Sequence, residues 1–209
     1  MQPRPPAVIA LQEVGIRPSM QSYDTHGKAV NNNNEWRVAT LVHKSITAIQ
    51  HKPIEGIEIP HIITEILYKE KKKKSIFILN IYSPPRQRKA TFDKLFEDSA
   101  KLAKQNTLIV VGDFNAKNPS WGFLTQDAKG RNIAQQIEIT GMTLLTDPAM
   151  PTRLGNSNSR DTTPDLTMCK NCQEVEWHNT LENLGSDHYI LCTTIHTGQI
   201  RKRLALPKY

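Results

Sequence analysis

The sequence has no hydrophobic run long enough to cross a membrane. Its longest apolar stretches, such as 75–79 and 107–111, are strand-sized, whereas a membrane-spanning helix needs about 20 apolar residues. The first residues are polar and rich in proline, without the charged and apolar regions of a signal peptide. We therefore expect a nuclear or cytoplasmic protein that is neither secreted nor embedded in a membrane.

Cysteine is scarce, with only Cys169, Cys172 and Cys192 in 209 residues. An odd number of cysteines in a chain without a leader does not suit a disulfide framework. Cys169 and Cys172 have the spacing of half a zinc site, and His178 follows them, but no second CxxC or HxxxH pair completes the site. We therefore expect free thiols, with zinc binding as the less favoured alternative.

Acidic residues are fewer than basic ones. The chain has 27 Lys and Arg against 20 Asp and Glu, a formal net charge of +7, which suits a polyanionic partner such as a nucleic acid. The length allows one large domain with a substantial core. We expect that domain to span 1–196. The basic segment 197–209 lacks periodicity, and we interpret it as a linker or a cut end.

Hydrophobic periodicity predicts many short strands and two helices. Helices are predicted over 88–105, which is amphipathic, and over 130–140, which ends at a glycine. Strands are predicted over 6–11, 36–43, 57–68, 75–82, 107–111, 143–145, 166–169, 174–180 and 189–195. The charged segment 69–74 predicts a hairpin tip, and its four consecutive lysines favour a solvated loop in preference to a DNA contact. This alternation of strands and helices predicts an α+β sandwich.

Several predicted strands end in, or directly follow, polar residues that strand propensity does not explain. These residues are Glu13, Asn80, Tyr82, Asp113, Asn115, Asp165 and the triplet Ser186–His188. Strand ends and their loops are where rigid scaffolds hold catalytic groups. Phosphodiester hydrolysis needs a hard cation, a base and neutral donors, and carboxylates suit Mg²⁺. Singly, each residue could be a turn or a solvated strand end, but their joint occurrence favours a catalytic site.

Six motifs give the sequence its resemblance to a known family. They are LQE (Leu11–Glu13), NIYSPP (Asn80–Pro85), GDFNA (Gly112–Ala116), PTR (Pro151–Arg153), TPDLTM (Thr163–Met168) and SDH (Ser186–His188). Together they resemble the endonuclease/exonuclease/phosphatase superfamily, which includes DNase I-like enzymes. The NIYSPP form, the Asn-Pro-Ser-Trp-Gly after GDFNA and the PDLTM segment look most like the endonuclease domains of non-LTR retrotransposons.

The resemblance implies a four-layered α/β sandwich and a role for each site residue. Glu13 would hold Mg²⁺, or Mn²⁺ in its place, with Asp187 assisting on the metal side. Asp113 would orient or deprotonate the attacking water, or act at the leaving group. His188, oriented by Asp165, would stabilise charge on the phosphate. The supporting residues would be Tyr82 in the catalytic set and Asn115, Thr152 and Ser186 as phosphate-binding groups.

The resemblance also implies a departure at the N-terminus. The family opens with a strand, which ends in an active-site asparagine, and a helix before LQE, but only twelve residues precede Glu13 here. We therefore expect the first strand and helix to be missing. The leading hypothesis is a metal-dependent endonuclease that nicks double-stranded DNA at a retrotransposon target site, with a reverse transcriptase in the same polyprotein. The alternatives are an inactive fragment of such a domain and a phosphatase or exonuclease of the family.

Overall fold

The computed structural model describes residues 5–67, 75–87, 91–157 and 159–196. Two α-helices are present in that part of the chain, α1 (Asp93–Ala103) and α2 (Ala128–Thr140), with a short 3₁₀ helix at Pro119–Trp121. The strands are β1 (Val8–Gly15), β2 (Tyr23–His26), β3 (Trp36–His43), β4 (Thr47–Gln50), β5 (His61–Leu67), β6 (Ile76–Tyr82), β7 (Thr107–Asp113), β8 (Thr143–Leu144), β9 (Asp165–Lys170), β10 (Val175–Asn179) and β11 (Leu191–Ile195).

A six-stranded sheet in the order β4-β5-β6-β7-β9-β8 forms the centre of the fold. Strands β6 and β7 are parallel, and the other neighbours are antiparallel. Every residue of β6 is buried, as expected for a strand that is covered on both faces of its sheet. The two remaining sheets are β1-β3-β2 and the hairpin β10-β11.

The core is divided between the two faces of the central sheet. On one face, side chains such as Leu79 and Val110 pack with Phe96 of α1 and Ile133 of α2. The other face, which includes Ile78 and Ile109, packs against residues of β1, β10 and β11, among them Val8, Val175 and Ile195. The helices therefore cover one face of the central sheet, and the smaller sheets cover the other. This order of layers confirms the predicted α+β sandwich. No helix in the described residues is long and apolar enough to cross a membrane.

Most predicted elements are present, with shifted ends. The helix predicted from residue 88 begins at Asp93, with the Asn132 side chain of α2 accepting a hydrogen bond from the preceding Phe92 N–H. Helix α2 begins earlier than predicted because Asp127 caps it by accepting from Gly130 N–H. The short strands β2 and β4 were not predicted, since four residues give too little alternation to detect. The charged segment 69–74 and the segment 197–209 lie outside the described residues.

The buried Asn80 of β6 joins the central sheet to the three-stranded sheet. Its amide nitrogen donates to the carbonyl oxygens of Ala39, at 2.9 Å, and Leu11, at 3.2 Å. Its amide oxygen accepts from Gln12 Nε2 at 2.6 Å. Because Gln12 directly precedes Glu13, these bonds set where the end of β1 lies over the central sheet.

Candidate active site

The register of the central sheet brings three of the expected site residues side by side. Tyr82 at the end of β6 is the direct partner of Asp113 at the end of β7, and Asp113 is the direct partner of Asp165 at the start of β9. Gly112 makes the close approach of β6 and β7 possible: its φ is +157°, and a Cβ atom there would lie 2.1 Å from the carbonyl oxygen of Ile81. The three polar side chains therefore share one edge of the sheet.

Glu13 reaches the same edge from the three-stranded sheet. Its carboxylate accepts a short hydrogen bond from the Tyr82 hydroxyl. The pairing of β1 with β3 is irregular between Gln12 and Gly15, and Glu13 has a φ of 52°, which non-glycine residues rarely adopt. Burial, followed by the hydrogen bond to Glu13, raises the pKa of Tyr82. Tyr82 therefore acts as a hydrogen-bond donor at neutral pH.

Asp113 and Asn115 form a local unit after β7. The side-chain amide of Asn115 donates to one oxygen of Asp113 at 2.7 Å, and its backbone N–H donates to the other at 3.2 Å. Asn115 has a φ of 46°, a conformation that asparagine tolerates better than most residues. Burial and the neighbouring Asp165 carboxylate raise the pKa of Asp113 to about 7. Asp113 is therefore able to exchange a proton near neutral pH.

His188 is oriented by a chain of two hydrogen bonds. Its Nδ1 lies 2.8 Å from Asp165 Oδ2, and the Thr152 hydroxyl donates to that same oxygen at 2.7 Å. The Tyr189 N–H donates to the Thr152 carbonyl at 2.8 Å, which holds the two segments together. Burial lowers the pKa of His188, but the hydrogen bond and charge of Asp165 raise it, and the net pKa lies above the usual value. The ring is thus held with Nε2 as its free nitrogen.

Ser186 and Asp187 lie on the loop that leads into His188. The Ser186 hydroxyl accepts from the His188 N–H at 3.0 Å, so this side chain shapes its own loop. Asp187 forms an ion pair with Arg153, whose Nε and one terminal nitrogen each lie 2.7 Å from Asp187 Oδ2. This hydrogen bond holds the pKa of Asp187 below its usual value. Arg153 is thereby placed at the site as a cation to which the sequence had assigned no role.

Lys129 is a second cation that sequence reasoning missed. Its ammonium group is buried and lies 3.4 Å and 3.3 Å from the carbonyl oxygens of Ser83 and Pro84, directly after Tyr82. Burial lowers the pKa of Lys129 to about 8, against the opposing charges of Asp127 and Asp113. In the sequence Lys129 is one polar residue among several at the start of a helix, and no pattern there signals its burial.

The oxygen ligands at this edge suit a divalent cation. Mg²⁺ is usually held by one or two carboxylates and completes its coordination with water and substrate phosphate oxygens. The exposed carboxylate of Glu13 lies close enough to Asp113 to raise its pKa, and a cation between such groups would relieve their repulsion. Within the described residues, no group of three or more His, Cys, Asp and Glu side chains is arranged to hold a metal. Glu13 thus fits as one of a small number of protein ligands.

The cysteines lie apart from this site. All three are free, as predicted: Cys169 is buried, and Cys172 and Cys192 are half-buried. Cys172 donates weakly to the Lys170 carbonyl at 3.6 Å. His178 pairs across its hairpin with Cys192. Since no group of three potential ligands occurs in the described part of the chain, nothing there completes a zinc site around Cys169 and Cys172.

Comparison with solved structures confirms the fold class. The endonuclease domain of TRAS1, a telomere-specific non-LTR retrotransposon, matches with a TM-score of 0.70 and 18% identity over 90% of this chain and 85% of that chain. Truncated TDP2 of Caenorhabditis elegans matches with a TM-score of 0.63 and 16% identity over 91% of this chain and 84% of that chain. At these identities the matches show a shared fold.

Sequence comparison identifies the family. The probable RNA-directed DNA polymerase from transposon BS of Drosophila melanogaster is 29% identical over 131 residues. That alignment covers 63% of this chain and only 14% of the Drosophila protein. The model of the endonuclease-reverse transcriptase family matches residues 76–192, which include Tyr82, Asp113, Asp165 and His188. The chain therefore belongs to the endonuclease-reverse transcriptase family.

Proposed function

We propose that this domain is a metal-dependent endonuclease that nicks double-stranded DNA at the target site of a retrotransposon. The observation that carries the proposal is the alignment of Tyr82, Asp113 and Asp165 across β6, β7 and β9, with His188 bonded to Asp165. This edge combines a base, an oriented imidazole and neutral donors. Together with a divalent cation, these are the groups that hydrolysis of a phosphodiester requires.

Asp113 and His188 divide the proton and charge chemistry between them. An Asp113 with a pKa of about 7 is matched to accepting a proton from water at neutral pH, since general bases work best near the operating pH. His188 has a raised pKa, which favours the protonated ring that can stabilise charge developing on the phosphate. Asp165 and Thr152 keep the ring in one orientation, which lowers the cost of arranging these charges in the transition state.

Glu13 is the proposed ligand of Mg²⁺, with Mn²⁺ as a substitute and Asp187 as the second candidate ligand. The cation, when bound, would offset the negative charge of the phosphate and of the carboxylates around it. Tyr82 orients the Glu13 carboxylate through its hydroxyl. Asp187 is engaged with Arg153, so its contribution to a metal site would require that ion pair to open. Asn115 and Ser186 remain the proposed phosphate-binding residues, whereas Thr152, which is buried and donates its hydroxyl proton to Asp165, supports the site through His188 instead.

Duplex DNA is the proposed substrate, and a reverse transcriptase in the same polyprotein is the proposed partner. The net charge of +7 favours a polyanion. The Drosophila relative is described as an RNA-directed DNA polymerase, and this chain covers 14% of it. A nick in DNA leaves a free hydroxyl from which such a polymerase can extend. A nuclear or cytoplasmic location follows as part of the same proposal.

Nicking of supercoiled plasmid tests the proposal directly. The 209-residue chain with Mg²⁺ should convert plasmid to the open-circular form, and Asp113→Asn should slow this roughly 10²–10⁴-fold. The exposed Asp24 provides a matched control, since Asp24→Asn makes the same chemical change away from the site. Unchanged nicking in excess EDTA would contradict the metal requirement. A folded chain that does not nick would favour the inactive-fragment alternative, and release of phosphate from inositol phosphates would favour the phosphatase alternative.

A further inference from the structure

The loop between β10 and β11 exposes two leucines next to the candidate site. Leu184 is 88% exposed and Leu181 is 64% exposed. Leu184 is the most exposed of the large hydrophobic residues in the part of the chain that the structure describes. Single exposed leucines are common, but two on one short loop beside a catalytic site call for a physical reason.

Both leucines are held in an unfavourable backbone conformation. The φ of Leu181 is 61° and that of Leu184 is 48°, in the left-handed region that bulky residues avoid. Strain of this kind persists only where the surrounding structure imposes it, and it concentrates at functional sites. A glycine or asparagine at either position would relieve it. The leucine side chains are therefore present despite a local cost.

Hydrogen bonds within the loop impose this conformation. The side-chain oxygen of Asn179 accepts from Leu181 N–H at 2.9 Å, and that of Asn183 accepts from Gly185 N–H at 3.0 Å. Across the loop, the Ile190 N–H donates to the Glu182 carbonyl at 2.7 Å. The loop is thus braced from both ends, and the leucines are presented to solvent in advance of any binding event.

The position of the loop restricts what can cover the leucines. Leu184 is two residues from Ser186 and four from His188, and the Ser186 N–H donates to the Asn183 carbonyl at 2.9 Å. Four residues span at most about 14 Å, so Leu184 lies within reach of a duplex whose scissile phosphate is bound at His188. The substrate of the proposed site must come this close to the loop, so it is the partner that the position of the leucines favours.

We infer that Leu181 and Leu184 form an apolar wedge that contacts the bases of duplex DNA beside the scissile phosphate. The inference rests on the proposed DNA-nicking function and deepens it. The exposed Glu182 lies between the two leucines and would repel phosphates, so this loop does not track the DNA backbone. Leucine is a side chain that proteins insert between base steps to unstack them and bend the duplex. Steps that unstack easily, such as pyrimidine–purine steps, are then cut in preference.

The test compares the double variant Leu181→Ala/Leu184→Ala with Ile139→Ala in three assays. Ile139 is 58% exposed on α2 and serves as the matched control. Hydrolysis of bis(p-nitrophenyl) phosphate measures the rate of phosphodiester cleavage without a duplex. Plasmid nicking measures the rate of cleavage in a duplex. Fluorescence of 2-aminopurine in a short duplex, measured in an Asp113→Asn background that leaves the strand intact, reports unstacking of the bases.

The wedge predicts a separation between these assays. The double variant should hydrolyse the small ester at the wild-type rate, and its KM for plasmid should rise about tenfold, as expected for losing buried leucine contacts. Binding of the double variant to the duplex should no longer raise the fluorescence of 2-aminopurine. In a variant that carries Leu184→Met instead of Leu184→Ala, binding should raise the fluorescence again. The dependence of binding on salt should stay unchanged, because no phosphate contact is lost.

Two results would overturn the wedge. One is a wild-type chain that binds the duplex without changing 2-aminopurine fluorescence, which would assign the leucines to a partner other than DNA bases. The other is a double variant that matches Ile139→Ala in all three assays. A wild-type chain that neither hydrolyses the small ester nor nicks plasmid defeats the proposed function instead, and the binding and fluorescence measurements still decide the wedge. A chain with no affinity for the duplex defeats both.

Discussion

Replacement of Asn80 should weaken the junction between the central sheet and the three-stranded sheet. In Asn80→Ala, the carbonyl oxygens of Ala39 and Leu11 lose a donor, and Gln12 loses its acceptor. Asn80 is fully buried, so water cannot replace these partners without entering the core. Each lost hydrogen bond costs on the order of 1 kcal/mol, and a group left unsatisfied costs more. We expect the free energy of unfolding to fall by about 3 kcal/mol.

Asn80→Asp provides a sharper version of the same test. A carboxylate keeps the acceptor for Gln12 but turns the donor into a second acceptor that faces two carbonyl oxygens. Burial and this repulsion should raise the pKa of the new carboxyl above its unfolded value. Its protonated form then supplies a donor, so the variant should be more stable at acid pH and lose stability as pH rises through that pKa. Asn80→Ala has no such group and should not show the added pH dependence.

Urea unfolding followed by tryptophan fluorescence measures both variants. Asn33, exposed in a polar turn, provides the control, because Asn33→Ala should shift the free energy of unfolding by less than about 0.5 kcal/mol. The reasoning would be refuted if Asn80→Ala unfolded at the wild-type midpoint with an unchanged slope. It would also be refuted if Asn80→Asp showed the same dependence on pH as Asn80→Ala.

Three further predictions concern the site itself. Asp113→Asn should stabilise the fold above pH 7 by on the order of 4 kcal/mol, because a raised acid pKa costs stability as pH rises from about 4 to 7. Thermal melting between pH 5 and 8 measures this. Asp165→Asn should slow nicking at least roughly 10²-fold and shift its pH profile to lower pH, since the pKa of His188 loses its main upward influence. Gly112→Ala should lower the melting temperature, because its Cβ would meet the Ile81 carbonyl; wild-type melting would contradict this clash.

The residues at strand ends could be predicted from sequence because strand periodicity and register determine where they lie. Once β6, β7 and β9 are recognised as neighbours, the residues at their ends must share an edge of the sheet. The motif residues Tyr82, Asp113 and Asp165 therefore come together through backbone pairing alone. To predict that these three side chains meet, it is enough to know where each strand ends.

Contacts made by docked loops and helices could not be predicted in this way. Lys129 is buried because the start of α2 packs closely on the loop after β7, where a Cβ at Gly130 would lie 1.9 Å from the Lys117 carbonyl. The pairing of Arg153 with Asp187 joins residues 34 positions apart. Asn80 bonds with residues about 40 and 70 positions away. Periodicity describes local structure, so it carries no information about any of these contacts.

The site and the fold that supports it act on stability in opposite directions. Burial of Asp113 raises its pKa, and Glu13 is held with a positive φ, so both residues reduce stability in order to place chemical groups. Asn80 offsets this cost by bonding the strand that carries Glu13 to the strand that carries Tyr82. Loss of Asn80 should therefore reduce stability and nicking together, whereas loss of the Asp113 charge should slow nicking while it raises stability. The change in stability should therefore have opposite signs in the two variants. This difference distinguishes a residue that supports the site from a residue that performs its chemistry.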